Sequence, residues 1–359
     1  MPAVESSGQR LFYLDAFRGL TMVAMFGNGF GLRYFAQHPV VGAVAYQFTH
    51  TRWEGITAWD LVMPFFLFVV GAVMPVSFAR RRAAGEAWRT SFLHVLRRCA
   101  LLVLCGLFAR SIQAGKPVLD LINVLPHAAL GYLVAFLVLR RSWRVQLCTA
   151  LGFLAAHWAL YQFATAPGIL GGYTMDSNIG SYLDKVILGH NWGGGYATLN
   201  GLCSVANVIA GVLAGEWLTS GATVRRKMQG LAAAGAACIG TGLLLSLGVP
   251  IIKRLWTVSF AVYSIGWTLA ALLAVYWITE IKQWRRWAGV FIVVGSNSIF
   301  IYVFHESCGR YLHYISKTFL QWSIDLWGPW GQFLEAWAVI LFEISLCYWL
   351  YRRKIFFKL

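Results

Sequence analysis

Charge is scarce in this chain of 359 residues: Asp, Glu, Lys and Arg make up 12%, against 58% hydrophobic residues and a mean hydropathy of +0.62. A water-soluble core of this size carries about twice that charged fraction, so a soluble globular protein is excluded. Cysteine spacing of the metal-binding kind is missing. The seven cysteines form no CxxC pair and most lie inside apolar runs, where they read as small buried hydrophobes rather than a zinc site or disulfide framework. A Gly-rich phosphate loop is also missing. No connecting segment is long enough to bury a core of its own, which excludes a large domain outside the membrane. The opening residues, MPAVESSGQR, lack the apolar stretch of a cleavable signal peptide, so the first apolar run is expected to insert the chain.

Long apolar runs dominate what is there. A span needs about twenty mainly apolar residues, and ten runs qualify, at 17–36, 58–79, 92–112, 121–139, 145–165, 198–218, 228–249, 256–279, 287–305 and 333–351. The expected fold is an all-α polytopic transmembrane bundle of about ten spans, forming a single domain over residues 1–359. The 17 tryptophans and 15 tyrosines suit bilayer interfaces, where amphipathic rings sit half wet. The formal charge of +16 falls in short clusters between runs: ARRRAAGEAWR, RRSWR, RRK at 225–227, KQWRR and YRRKIFFKL. That pattern orients a membrane protein rather than binding nucleic acid, and it predicts both termini on the cytoplasmic side. Lys253 and Arg254 are the exception on the opposite side. Two outer segments stand out: residues 166–197, rich in glycine and suited to a lid, and residues 306–330, whose alternating aromatic and polar groups predict an interfacial or re-entrant helix.

Chemistry concentrates at HTRWEGITAWDLVMPFFLFVVGA, beginning at His50. Thr57 to Asp60 has the spacing of a capping box, which accounts for Asp60 as a helix-starting residue. An outer loop has no structural requirement for an imidazole, and histidine suits proton transfer near neutrality, so His50 is the candidate base. Asp60 or Glu54 could orient its ring. The ninth run supplies Asn297, Ser298, Tyr302, His305 and Glu306, which serve either as bonds between helices or as substrate ligands. Lys253 and Trp256 begin an outer-leaflet run and read as acceptor ligands or as interfacial anchors. Asp15 and Arg18 have ion-pair spacing, while Arg18, Arg97 and Arg98 are candidates for phosphate contacts. Glu343 lies deep in the last run and requires a partner.

YLDAFRGLTMVAMFGN followed by HTRWEGITAWDLVMPFFLFVVG resembles the start of the heparan-α-glucosaminide N-acetyltransferase family. SYLDKVILG, GVLAGEWL, VPIIKRLWTVSF, GSNSIFIYVFHE and YRRKIFFKL resemble further blocks in the family's order. The resemblance implies a membrane acyltransferase that uses acetyl-CoA, with no metal, and acylates a carbohydrate at the outer face; the lysosomal member acetylates terminal glucosamine of heparan sulfate. It makes His50 the catalytic histidine, with Trp53 and Glu54 beside it. It also implicates an asparagine near the end of the first run, for which Asn28 is the nearest counterpart, with Gly29 at the expected spacing. Two departures bear on the acceptor: NVLPHAALGY puts His127 beside Pro126 where relatives have GVLQR, and TLNG replaces DPEG. The large lumenal domain of the animal enzymes has no counterpart, and the form resembles a bacterial one, expected in the cytoplasmic membrane. The expected partners are membrane lipid, acyl-CoA and the carbohydrate acceptor, with a homodimer as an open possibility for assembly. An O-acyltransferase of envelope glycan or lipid, and a transporter or non-catalytic membrane subunit, are the alternatives; transport would predict inverted repeats, and none is evident.

Overall fold

The computed structural model describes residues 11–169 and 171–357. The reading of residues 1–10 lies outside the described residues, as do Leu170 of the glycine-rich segment and the last two residues of the terminal block. The molecule is all-helical, with 74% helix and no strand among the described residues. The helices are α1 (Phe12–Phe26), α2 (Gly42–Tyr46), α3 (Val62–Ala72), α4 (Met74–Ala83), α5 (Trp88–Ala114), α6 (Val124–Val138) and α7 (Trp143–Phe163). They continue as α8 (Ile179–Leu188), α9 (Gly201–Thr219), α10 (Val224–Leu245), α11 (Val258–Tyr276), α12 (Ala288–Ser296), α13 (Ser298–Trp327) and α14 (Pro329–Arg352).

A helix stands at each of the ten apolar runs, but the runs are not equivalent. Among the described residues, six helical stretches are long and apolar enough to cross a membrane: Ala58–Ala83, Trp88–Ala114, Thr198–Thr219, Val224–Leu245, Val258–Ile281 and Pro329–Arg352. A seventh crossing follows if α12 and α13, bent by 79° at Asn297, count as one. The first run is shorter than its composition suggests. α1 stops at Phe26, and Asn28, Gly29, Phe30 and Gly31 all take positive φ, turning the chain away before the apolar residues are used up. The ninth run is broken: α12 ends at Ser296, Asn297 is non-helical, and residues 306–327 belong to the 30-residue α13 that starts at Ser298.

α9 is the hub, packing against α3, α6, α7 and α11. Its sequence GVLAG places Gly211 and Gly215 one turn apart, the small-residue spacing that lets membrane helices approach backbone to backbone. A Cβ on Gly211 would meet the Phe68 carbonyl oxygen at 2.0 Å, and one on Gly215 the Ala72 oxygen at 2.3 Å. α3 is thereby fixed tightly against α9, and with it the loop that precedes α3. The core is continuous, running from Phe17 and Met22 of α1 through Leu67 and Phe68 of α3 to Val208, Ile209 and Phe260. A smaller cluster around Tyr161, Ile252 and Leu255 packs under the segments bearing Trp53 and Tyr173.

Candidate active site

Asp60 organises the loop before α3. It is the third residue of a short 3-10 turn capped by Thr57, and its side chain is 1% exposed. One carboxylate oxygen, Oδ2, reaches back to the Thr57 N–H at 3.1 Å, completing the capping box. The same oxygen accepts from the Thr51 hydroxyl and from the Thr51 N–H at 3.3 Å. The Thr57 hydroxyl, which donates to the Thr49 carbonyl at 2.6 Å, lies 3.0 Å from it. Gln47 holds the outside of the turn, its two oxygens accepting the Trp59 and Ala58 N–H groups.

With Oδ2 engaged in this way, Oδ1 is left to meet His50 Nδ1 at 2.8 Å. A carboxylate only accepts hydrogen bonds, so Nδ1 carries the proton and Nε2 presents a lone pair. That is the arrangement of a histidine set up as a base, with its ring and tautomer fixed by a buried carboxylate. The Lys253 ammonium completes the group: it stands 3.8 Å from Asp60 Oδ1 and beside the imidazole, 3.3 Å from His50 Nδ1 and 3.5 Å from Nε2.

His50, Lys253 and Trp59 line a cavity of about 280 Å³. Arg110, Asn123, Trp192, Tyr196, Tyr302 and Glu306 line it as well. Arg110 is 9% exposed, paired with Asp120 through Nε and Nη2 at 3.0 Å each, and covered by the Trp192 ring 3.7 Å from its guanidinium carbon. Gln113 bridges across, accepting from Arg110 at 2.5 Å and donating to Glu306 at 2.5 Å. Trp192 and Tyr196 come from the glycine-rich segment. Gly193, Gly194 and Gly195 there have positive φ, and a Cβ on Gly195 would fall 2.7 Å from Trp53, so this loop can lie flat only as glycine. Asp184, which accepts the Thr198 N–H at 2.9 Å behind the loop, has its carboxyl pushed above the usual range by burial.

The sequence-derived candidates separate into those at the cavity and those elsewhere. His50, Asp60, Lys253 and Glu306 converge there. Glu54 is exposed and Asp60, not Glu54, meets the ring. Trp53 packs in the satellite cluster behind the glycine loop. Trp256 is 2% exposed and donates to Asn207 Oδ1 at 3.2 Å, so it is an interior residue and not an interfacial anchor. Asn28 lies in the positive-φ turn, exposed, accepting from Arg33 at 2.9 Å. Asn297 clamps the chain end, donating to the Ile355 carbonyl at 3.0 Å and accepting the Phe357 N–H at 2.9 Å, with Ser298 beside it. His305 turns to α14 and meets Glu343 at 2.8 Å. Arg18 pairs with Asp15 at 2.9 Å, Arg97 is exposed, and Arg98 lies over the Tyr132 ring at 4.7 Å. His127 is 4% exposed against Trp256, with neither ring nitrogen hydrogen-bonded.

Residues 10–145 match a family model described as a domain of unknown function, DUF5009. The chain is 24% identical over 422 aligned residues to heparan-alpha-glucosaminide N-acetyltransferase of Mus musculus, covering 99% of this chain and 61% of that protein. The Homo sapiens protein of the same name is likewise 24% identical, over 98% of this chain and 60% of its own length. This chain is a distant relative of the heparan-α-glucosaminide N-acetyltransferases. It spans about three fifths of the length of the curated relatives it matches. The match runs over nearly the whole of this chain, and with it the segments that line the cavity.

Five of the cavity residues named above carried no weight in the sequence reading: Trp59, Arg110, Asn123, Trp192 and Tyr196. Arg110 had a usable signal, being an ionisable residue inside an apolar run with an aspartate ten positions on.

Proposed function

We propose that the chain is a membrane acyltransferase that moves an acetyl group from acetyl-CoA to the amino group of a sugar, with His50 as its general base. The observation that carries this reading is the buried Asp60 holding Nδ1 of a histidine whose side chain lines a cavity. The coenzyme supplies an activated thioester. His50 Nε2 takes the proton of the attacking amine as the carbon–nitrogen bond forms, and returns it to the departing sulfur as the carbon–sulfur bond breaks. Asp60 holds the ring through both transfers. Lys253 provides a positive charge beside Nε2, where negative charge develops on the carbonyl oxygen, a contribution that is large in a site shielded from water. Trp59, Trp192 and Tyr196 offer flat apolar faces to a sugar ring.

About 280 Å³ lies at the small end of ligand pockets and suits a single sugar and a thioester end, but not a whole coenzyme. The donor therefore enters from elsewhere. We place the basic clusters on the cytoplasmic side and His50 on the outer side, with ten crossings in a cytoplasmic membrane. The shorter α1 and α6, of 15 residues each, then cross within the shelter of their neighbours.

The test is purified protein with radiolabelled acetyl-CoA and a panel of amino sugars and their hydroxyl analogues. Transfer to amines that needs His50 supports the reading. Transfer confined to hydroxyls would make it an O-acyltransferase, and thioester turnover at background with every acceptor would remove the enzyme reading.

A further inference from the structure

The cavity beside His50 holds one charge that the base and its partners do not use. Its cations each have a carboxylate of their own: Lys253 stands 3.8 Å from Asp60, and Arg110 is held by Asp120 at 3.0 Å. Glu306 lines the same cavity and forms no ion pair with another described residue; its Oε2 accepts from the neutral Gln113 amide. With His50 neutral as a base, one unmatched negative charge is left at the cavity, on Glu306. The fold fixes where that charge sits. Successive residues of a helix point about 100° apart, so with His305 of α13 fastened to Glu343 of α14, Glu306 is turned toward α5. There Gln113 donates to the Glu306 carboxylate at 2.5 Å and to its backbone carbonyl at 3.2 Å, while its own side-chain oxygen accepts from Arg110. A half-buried carboxylate at a cavity wall is costly to keep charged unless a cation meets it.

We propose that Glu306 is the seat of the acceptor's ammonium group and takes the first of the two protons that the nitrogen must lose. The assignment rests on the acyltransferase reading above and adds to it what selects an amine. A primary amine on a sugar is largely an ammonium ion at and below neutral pH, and in that form it has no lone pair with which to attack a thioester. The ammonium pairs with the Glu306 carboxylate and passes it one proton, which leaves a neutral amine beside a neutral carboxyl group. The nitrogen lone pair then forms the bond to the acetyl carbon, while His50 takes the second proton and returns it to the departing sulfur. The proton on Glu306 leaves to water with the product, so the whole reaction releases one proton and both side chains return to their starting states. A hydroxyl acceptor brings no positive charge and gains nothing from Glu306, so the same residue selects nitrogen over oxygen. The product amide is neutral and loses the pairing, which favours its release.

The experiment is equilibrium binding of radiolabelled glucosamine and glucose to purified protein in nanodiscs, alongside acetyl transfer to glucosamine, in wild type, Glu306→Gln and Glu306→Asp. Glu306→Gln keeps an oxygen for Gln113 and removes the charge, and each variant is checked for an unchanged melting temperature. Wild type should bind glucosamine about tenfold or more tightly than glucose near neutral pH, with the preference fading as higher pH deprotonates the amine. Glu306→Gln should abolish the preference and leave glucose binding unchanged, and Glu306→Asp should keep part of it. In transfer, Glu306→Gln should move the pH dependence of kcat/KM upward, because the variant can use only acceptor that arrives already deprotonated. Equal binding of the two sugars by wild type, or unchanged glucosamine affinity in Glu306→Gln, would overturn the proposal. An equal loss for both sugars in that variant would also overturn it, since Glu306 would then be a neutral part of the wall. If wild type transfers no acetyl group yet prefers glucosamine through Glu306, the catalytic reading fails and the ammonium site stands. If transfer to glucosamine needs His50 and proceeds in Glu306→Gln as in wild type, the reverse holds.

Discussion

Asp60 does two jobs because its two oxygens are used separately. Oδ2 closes the helix turn and Oδ1 holds His50. The Thr57-x-x-Asp60 spacing revealed the first job, and only the approach of the preceding loop determines the second, which is why a capping reading and a catalytic reading looked like alternatives. Asp60→Asn keeps an oxygen for one role but loses the charge that holds the ring. We expect kcat to fall about 10²–10⁴-fold, the range seen when a histidine loses its orienting carboxylate, with KM for the acceptor little changed. Steady-state kinetics on folded protein measures this split. Lys253→Gln should lower kcat about 10²-fold if the ammonium faces the developing oxyanion. If Lys253 instead bound the acceptor, KM would rise with kcat preserved, so the same kinetics separates the two roles.

At the scale of elements, α13 and α14 form an antiparallel hairpin fastened twice. His305 meets Glu343 and His313 meets Glu335, both at 2.8 Å, and both glutamates are fully buried. Glu343 stood out in the sequence as a charge in an apolar run; its partner lies 38 positions away and no local pattern could name it. Removing one member of such a pair leaves the other buried without its partner, which costs about 3–5 kcal/mol, more than replacing both. His305→Ala should therefore lower the melting temperature markedly, and His305→Leu combined with Glu343→Leu should restore most of it. A single variant as stable as wild type would show that the pair bears no load. The GVLAG block entered the sequence reading only as a family resemblance; its use as a close-packing face emerges from the approach of the α3 backbone to Gly211 and Gly215. The break at Asn297 was not legible, because it depends on Ile355 and Phe357 returning to that point from the chain end.

Across the whole molecule, composition alone sufficed for a helical membrane bundle, and each apolar run holds a helix. Periodicity and hydropathy do not see tertiary breaks, so among the described residues the helices that meet the length and apolarity of a crossing number six, or seven with the bent pair. The proposed orientation puts His50 and the basic clusters on opposite sides of the membrane, which makes sidedness testable. In a cysteine-depleted background, Glu54→Cys should react with a membrane-impermeant maleimide in intact cells, and Arg141→Cys only after the membrane is opened. Labelling of both from outside would contradict the proposed orientation.

The central claim is that His50 Nε2 carries the proton of the transfer. The most direct measurement is the single-turnover rate of acetyl transfer by His50→Ala, with and without added imidazole, in protein that still binds the donor. The account predicts a loss of about 10²–10⁴-fold, partly restored when free imidazole occupies the space left by the ring. A rate within a few-fold of wild type without imidazole would contradict it.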